Sequence, residues 1–370
     1  MKVHRDGATT PLIDASVHIF FRDNKDFRSF LREPYASRGV PDYEMSWYGA
    51  PGGEYVPEAE GPDEEYPGSD PELVAQHLFV DGGVDVAVLH PMSRGTLPDR
   101  HLNSAVLAAH NEMMVQRWLE HPSYGERFRG IIRVNPEDVH GAIREINRWK
   151  DHSRVVGIGI PLQSRELYGK PQFWPLWEAA ANAGLPIAVH IEAGEGVGNP
   201  PTPSGHPRTY EQYLGFMALN YVYHLLNMIA EGVFERFPSV KFVWSDGAAD
   251  FLTPFMWRMD VFGRPHLEQT PWAPKMPSDY LPGHVWFVQG ALDGPGDQEF
   301  AGEWLSFTGK ESMTMFGSSY PHFQLNRADA LPSALSAEQR DSVCWRNAAE
   351  LYGISISNRS SSSVPEGAAS

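Results

Sequence analysis

Four short runs in this chain carry groups able to move protons or hold a cation. Asp14-Ala15-Ser16-Val17-His18 sets Ser16 and His18 two residues apart, hence on one face of an extended segment. Ala188-Val189-His190 ends an apolar run in an imidazole. Val243-Trp244-Ser245-Asp246 ends another in a carboxylate, with the register between Ser245 and Asp246 left open. Phe316-Gly317-Ser318-Ser319-Tyr320-Pro321-His322 adds Ser319 and His322. An imidazole titrates near neutral pH and a carboxylate beside it raises that pKa, so His190 and Asp246 read as an acid–base pair. His18 and His322 would orient a substrate carbonyl, enol or carboxylate. The hydroxyls of Ser16 and Ser319 are candidate substrate contacts. So are Glu192 and His206, in the Gly/Pro-rich stretch after His190. The same His18, His190 and Asp246 would also make a minimal two-histidine, one-carboxylate set for a divalent cation. No Gly-x-Ser-x-Gly elbow surrounds Ser16 or Ser319, which argues against a serine nucleophile. Arg258 lies in a helical pattern and reads as an ion-pair partner, Trp174 and Trp177 as core, and Cys344 as a buried thiol.

These groups work together only if the runs that carry them are parallel neighbours. Strand patterns fall at 12–19, 84–89, 128–134, 155–160, 185–190, 241–246, 285–288 and 312–317. Helical spacing of apolar residues fills most of the gaps, at 99–120, 139–149, 173–183, 213–237, 250–262 and 337–352, with a weaker pattern at 298–307. Asp70-Pro71-Glu72 marks a further helix start through its cap, its proline and its first-turn acid. Strands that are apolar on both faces and alternate with helices imply a buried parallel sheet. Eight such units in 370 residues predict an α/β fold, a (β/α)8 TIM barrel, with chemistry at the C-terminal strand ends. An open doubly wound sheet is the other candidate, and no Gly-rich phosphate fingerprint follows an early strand to favour it.

Composition narrows the partners. The net charge of −17 repels phosphate backbones and anionic lipid, so nucleic acid and membrane are poor partners and a small molecule is the expected one. The single cysteine excludes an intrachain disulfide and a multi-cysteine zinc site. No apolar run reaches membrane-spanning length, and the first residues lack a signal-peptide core, so the expected location is cytoplasmic. Residues 1–354 read as one barrel domain. Residues 34–67 form an acidic Pro/Gly-rich surface insertion after the first strand, with a lid or subunit arm as its sharper reading, and 355–370 form a disordered tail.

Several stretches together resemble the amidohydrolase superfamily, in its aminocarboxymuconate-semialdehyde decarboxylase-like branch, over about residues 12–353. They are Gly232-Val233-Phe234-Glu235-Arg236-Phe237-Pro238, Pro254-Phe255-Met256-Trp257-Arg258-Met259-Asp260, Pro277-Ser278-Asp279-Tyr280, Tyr320-Pro321-His322 and Asn347-Ala348-Ala349-Glu350-Leu351-Tyr352-Gly353. The resemblance implies a metal-centred barrel acting on small molecules by decarboxylation or hydrolysis, often as a homodimer. It implies metal ligands at His18 and His190, with a third at Ser245 or Asp246. The family's acid or histidine before the spacer in the first strand is Ser16 here, and its eighth-strand aspartate is Ser319. A neutral hydroxyl is a poor substitute for a carboxylate at a divalent cation. The leading expectation is therefore an enzyme acting on a small carboxylated or polyketide-like, aromatic-like molecule. It would use lyase, cyclase or hydrolase chemistry through His/Asp groups, with a degraded or absent metal site and no resident cofactor. The alternatives are a conventional decarboxylase or hydrolase dependent on zinc or another divalent metal, and a non-catalytic binding or partner subunit.

Overall fold

The eight apolar runs pair side by side as parallel strands in the order β1 to β8. They are β1 (Ile13–Ile19), β2 (Val86–Pro91), β3 (Phe128–Arg133), β4 (Val155–Pro161), β5 (Ile187–His190), β6 (Phe242–Ser245), β7 (Val285–Val288) and β8 (Thr314–Met315). The structure is a computed structural model and describes residues 10–38, 55–93, 97–191, 209–245, 249–289, 297–322, 331 and 334–356. The ring closes beyond the short β8, where the chain continues along β1. Ala15 N–H donates to the Phe316 carbonyl at 2.9 Å, Ser319 N–H to Ser16 at 3.0 Å and His18 N–H to Tyr320 at 2.7 Å.

Helices lie between the strands: α1 (Asn24–Phe30), α2 (Pro71–Ala75), α3 (Arg100–Met113), α4 (Val139–Trp149), α5 (Trp174–Ala183), α6 (Tyr210–Ala230), α7 (Val233–Arg236), α8 (Ala249–Gly263), α9 (Gln298–Thr308), α10 (Ala337–Asp341) and α11 (Asn347–Tyr352). Their starts are written in side chains. The carboxylates of Asp70, Asp99, Asp138 and Asp297 accept the first free N–H groups of α2, α3, α4 and α9. Thr209 with Gln212 and Ser336 with Gln339 close capping boxes on α6 and α10. The long helical pattern at 213–237 divides at Gly232, whose φ of +73° is the left-handed conformation that favours glycine.

Two apolar layers result. One fills the space between strands and helices, with Trp118, Trp177 and Trp244 fully buried. The other fills the barrel interior with Ile13, Ala15, Val88, Ile131, Ala188, Val243, Val288 and Met315, and α11 closes its lower end through Ala348, Leu351 and Tyr352. The described part of the acidic segment lies against the mouth. Tyr55 forms a β-bridge with His322, Val56 N–H donates to the Pro321 carbonyl at 3.0 Å, and Ala59 is buried. Among the described residues no helix is long and apolar enough to cross a membrane.

Candidate active site

The interior side chains change character along each strand. Below is the apolar floor, and at the C-terminal strand ends stands a polar ring. On β1 a register shift between Asp14 and Val17 turns both Ser16 and His18 to the site, and His18 pairs in register with His90 on β2. β5 ends in His190, two residues beyond the floor residue Ala188. His322 follows β8 on the turn that begins at Ser319.

Three imidazoles meet through hydrogen bonds. His18 Nε2 lies 2.9 Å from His190 Nε2, and His18 Nδ1 lies 2.8 Å from His322 Nδ1. Ser16 Oγ stands 3.2 Å from His18 Nε2. The acceptors at the two ends give the neutral tautomers. His190 Nδ1 faces the Ile191 carbonyl, which only accepts, so that nitrogen carries the proton and Nε2 is bare. His18 must then donate from Nε2, which leaves its own Nδ1 bare. His322 must donate from Nδ1, a nitrogen that also lies 3.2 Å from the Ser319 carbonyl. The result is one directed chain, His322 to His18 to His190 to the backbone.

Burial keeps this chain neutral. The His18 and His190 pKa values fall well below the usual imidazole range, through desolvation first and then through neighbouring positive groups that include Arg133. The half-buried His322 is pushed down to about 4 by desolvation, against the pull of the Ser319 carbonyl. His90 stands beside the chain, its ring 5.0 Å from that of His190. It donates from Nε2 to the Ala15 carbonyl at 3.1 Å, and its Nδ1 is buried without a hydrogen bond among the described residues. Desolvation and then Arg133 lower its pKa to about 3.

The ring is completed by Arg133 on β3, Ser245 on β6 and Gln289 just past β7, all buried. Asp14 lies behind it, where its Oδ1 accepts the N–H groups of Ser16 at 3.1 Å and Ser318 at 2.9 Å. Its pKa rises to about 6 because burial outweighs those hydrogen bonds.

The structure thus brings together His18, His190, His322 and Ser16. Ser319 joins them through its backbone, at a φ of +60° that is uncommon for serine. Asp246, Glu192 and His206 lie outside the described residues, so the His190–Asp246 pairing has no description here. Ser245 is the described member of the β6 position. Sequence reasoning missed His90, Arg133 and Asp14. Arg258 lies over the Phe262 ring at 4.7 Å on α8. Trp177 and Cys344 are buried as expected.

A model of the amidohydrolase family matches residues 13–354. No curated protein matches the chain. Among solved structures, the 5-carboxyvanillate decarboxylase from Sphingomonas paucimobilis is similar with a TM-score of 0.62 and 21% identity, covering 94% of this chain and 100% of that one. The dihydroxybenzoic acid decarboxylase from Polaromonas sp. JS666, with bound manganese and the inhibitor 2-nitroresorcinol, aligns with a TM-score of 0.63 and 18% identity, covering 93% and 97%. An amidohydrolase from Mycobacterium avium subsp. paratuberculosis K-10 gives a TM-score of 0.70 and 17% identity, covering 94% and 100%.

Manganese in the Polaromonas structure stands against the expectation of no resident cofactor in this fold. The described residues of this chain do not complete a cation site. Among the described residues no group of three His, Cys, Asp or Glu is arranged to hold an ion.

Proposed function

This chain belongs to the amidohydrolase family, and we propose that it is a lyase that removes carbon dioxide from a small, carboxylated, aromatic-like molecule. The observation that carries the reading is the directed imidazole chain at the barrel mouth, where this fold places its chemistry. The apolar floor of Ala15, Val88, Ala188 and Val243 suits a flat ring laid across it. Two of the similar structures are decarboxylases of aromatic acids, which supports the same substrate class.

The geometry suggests the proton's path. An anionic substrate raises the proton affinity of the imidazoles it approaches. A proton taken up at the outer nitrogen of His322 passes by successive N–H shifts to His18 and then to Nε2 of His190. From that inner pair it adds to the ring carbon that bears the carboxylate. The new C–H bond forms, the C–C bond to the carboxylate breaks, and its electron pair restores the ring as carbon dioxide leaves. Delivery leaves all three imidazoles neutral, and the chain resets its tautomers before His322 takes up the next proton. Assembly as a homodimer is part of the same reading, and the exposed ring group Trp257 and Phe307 supports it.

Turnover of 2,6-dihydroxybenzoate and 5-carboxyvanillate, followed by carbon dioxide release, tests this. His190→Asn should lower kcat by about 10²–10⁴-fold, the usual worth of a positioned acid–base group. His322→Ala should slow turnover and recover with added imidazole. Equal rates for wild type and His190→Asn would sink the mechanism. A second reading, a manganese-type metal enzyme, has one observation in its favour, the bound ion in the Polaromonas structure. His18 and His190 would then hold the ion with Asp246, and it would polarise a substrate oxygen. Activity that vanishes with the last equivalent of metal, measured elementally, selects that reading.

A further inference from the structure

The imidazole chain leaves three features of the mouth unused. The first is a buried guanidinium. Arg133 ends β3, is 1% exposed, and points inward two residues beyond the floor residue Ile131. Asn111 on α3 fixes its backbone from both sides, accepting the Arg133 N–H at 2.6 Å and donating to the Arg133 carbonyl at 2.8 Å. The second is the room made for it. Its register partner on β4 is Gly159, where a Cβ would meet Nη1 at 2.5 Å and Cζ at 3.0 Å. The guanidinium packs into space that a side chain at position 159 would fill. Its charge reaches His18, His90 and His190 and favours their neutral forms. A fixed cation among neutral imidazoles makes this side of the mouth attractive to an anion.

The third feature lies across the ring. β7 stands four strands from β3, diametrically opposite in an eight-stranded barrel. Here both amide atoms of Gln289 are buried without a hydrogen bond among the described residues, as is Ser245 Oγ on neighbouring β6. Gln289 is 6% exposed and Ser245 fully buried. A buried polar atom left unsatisfied is destabilising, so these groups favour a ligand that supplies partners. They are neutral, and suit a hydroxyl or carbonyl oxygen better than a second charge.

We propose that Arg133 binds the carboxylate of the substrate while Gln289 and Ser245 bind an uncharged oxygen at the opposite edge of the same molecule. The ligand class is then a flat monoanionic hydroxy- or oxo-carboxylate. The assignment rests on the reading of a small carboxylated substrate, and binding tests it separately from turnover. A protein that binds the acid through Arg133 but releases no carbon dioxide keeps this subsite and loses the lyase.

The test is calorimetric titration of the full chain with 2,6-dihydroxybenzoate and with 2,6-dihydroxybenzamide, a pair differing mainly in charge. Wild type should bind the acid about ten- to hundredfold more tightly than the amide, the worth of a hydrogen-bonded charge. Arg133→Met should bring that ratio near one and leave amide affinity unchanged, while Arg133→Lys retains part of it. Gln289→Leu should weaken acid and amide alike. Gly159→Ala removes no charge but displaces the guanidinium, so it should lower the acid-to-amide ratio even if Arg133→Met fails to fold. A wild type with no preference or no binding of either probe, or a Gly159→Ala protein with an undiminished ratio, overturns the assignment.

Discussion

Asp14 shows how one side chain ties the site to stability. Its carboxylate holds the N–H groups of Ser16 and Ser318 together, joining β1 to the chain after β8. Burial raises its pKa to about 6, so the folded protein holds a proton there that the unfolded chain releases above its ordinary value near 3.8. Stability from this group is therefore full below the unfolded pKa and is lost as pH rises through about 6. Asp14→Asn should escape that loss. Between pH 4 and pH 7 the wild type should fall by about 2 kcal/mol relative to the variant. Urea midpoints at both values measure it, and a constant difference would refute the buried carboxyl. How much of the site was legible also resolves residue by residue. His18, His190 and His322 follow from apolar runs that end in histidine. His90 ends a run of the same kind, Val86-Ala87-Val88-Leu89, and escapes only because the expected strand stops at Leu89, one residue short of it. Arg133 carried no signal: arginine at a strand end reads as a surface residue unless Gly159 is known to lie beside it, and that adjacency is a matter of strand register.

Among the elements, the β8–β1 seam is where the barrel and the site depend on each other. β8 itself spans only Thr314–Met315, and closure passes to backbone bonds made by residues 316–320. A Cβ on Gly317 would come within 2.8 Å of Ser16 Cβ. Gly317→Ala should therefore cost about 1–3 kcal/mol, the usual penalty for overpacking, and lower turnover by displacing Ser16 and His18. Gly215 on α6 makes the opposite case, because a Cβ there meets nothing within 4 Å. Gly215→Ala should add about 0.5–1 kcal/mol of stability. Chemical denaturation of both proteins measures the pair, and equal signs would contradict the described packing. All eight strands were visible in advance because runs buried on both faces are apolar throughout. The seam was not. Bonds between the first strand and residues some 300 positions later depend on closure, which no local pattern encodes. The division of α6 from α7 was likewise hidden, since apolar spacing continues through Gly232 and only its positive φ breaks the helix.

At the scale of the whole molecule, buried imidazoles decide the response to acid. Among the described residues eight buried or half-buried histidines, His18, His77, His90, His110, His152, His190, His224 and His322, have depressed pKa values, against one raised carboxyl at Asp14. His224 shows the cause away from the mouth. Its Nε2 donates to the Leu162 carbonyl at 2.9 Å, and its Nδ1 accepts the Tyr168 N–H at 3.3 Å, so a second proton would face a donor. Desolvation by burial is the main cause and sets its pKa at about 4, against the pull of the Leu162 carbonyl. An unfolded histidine takes up a proton below its ordinary value of about 6.5. The stability contributed by His224 is therefore complete above pH 6.5 and is lost as pH falls toward about 4, up to roughly 3 kcal/mol. Asp14 works in the opposite direction but is outnumbered. Acid also relieves the self-repulsion of a chain carrying −17, which would mask the trend at low salt. Added salt screens surface repulsion far more than it alters buried imidazoles, so the profile belongs at high ionic strength. There, unfolding free energy should fall between pH 6.5 and 5 with a slope above about 2.8 kcal/mol per pH unit, the mark of more than two protons taken up on unfolding. His224→Gln should reduce that slope by nearly one proton. A flat profile would mean that these imidazoles meet water in the folded protein, and the barrel mouth would then be wet rather than the dry, neutral setting that the histidine chain and Arg133 require.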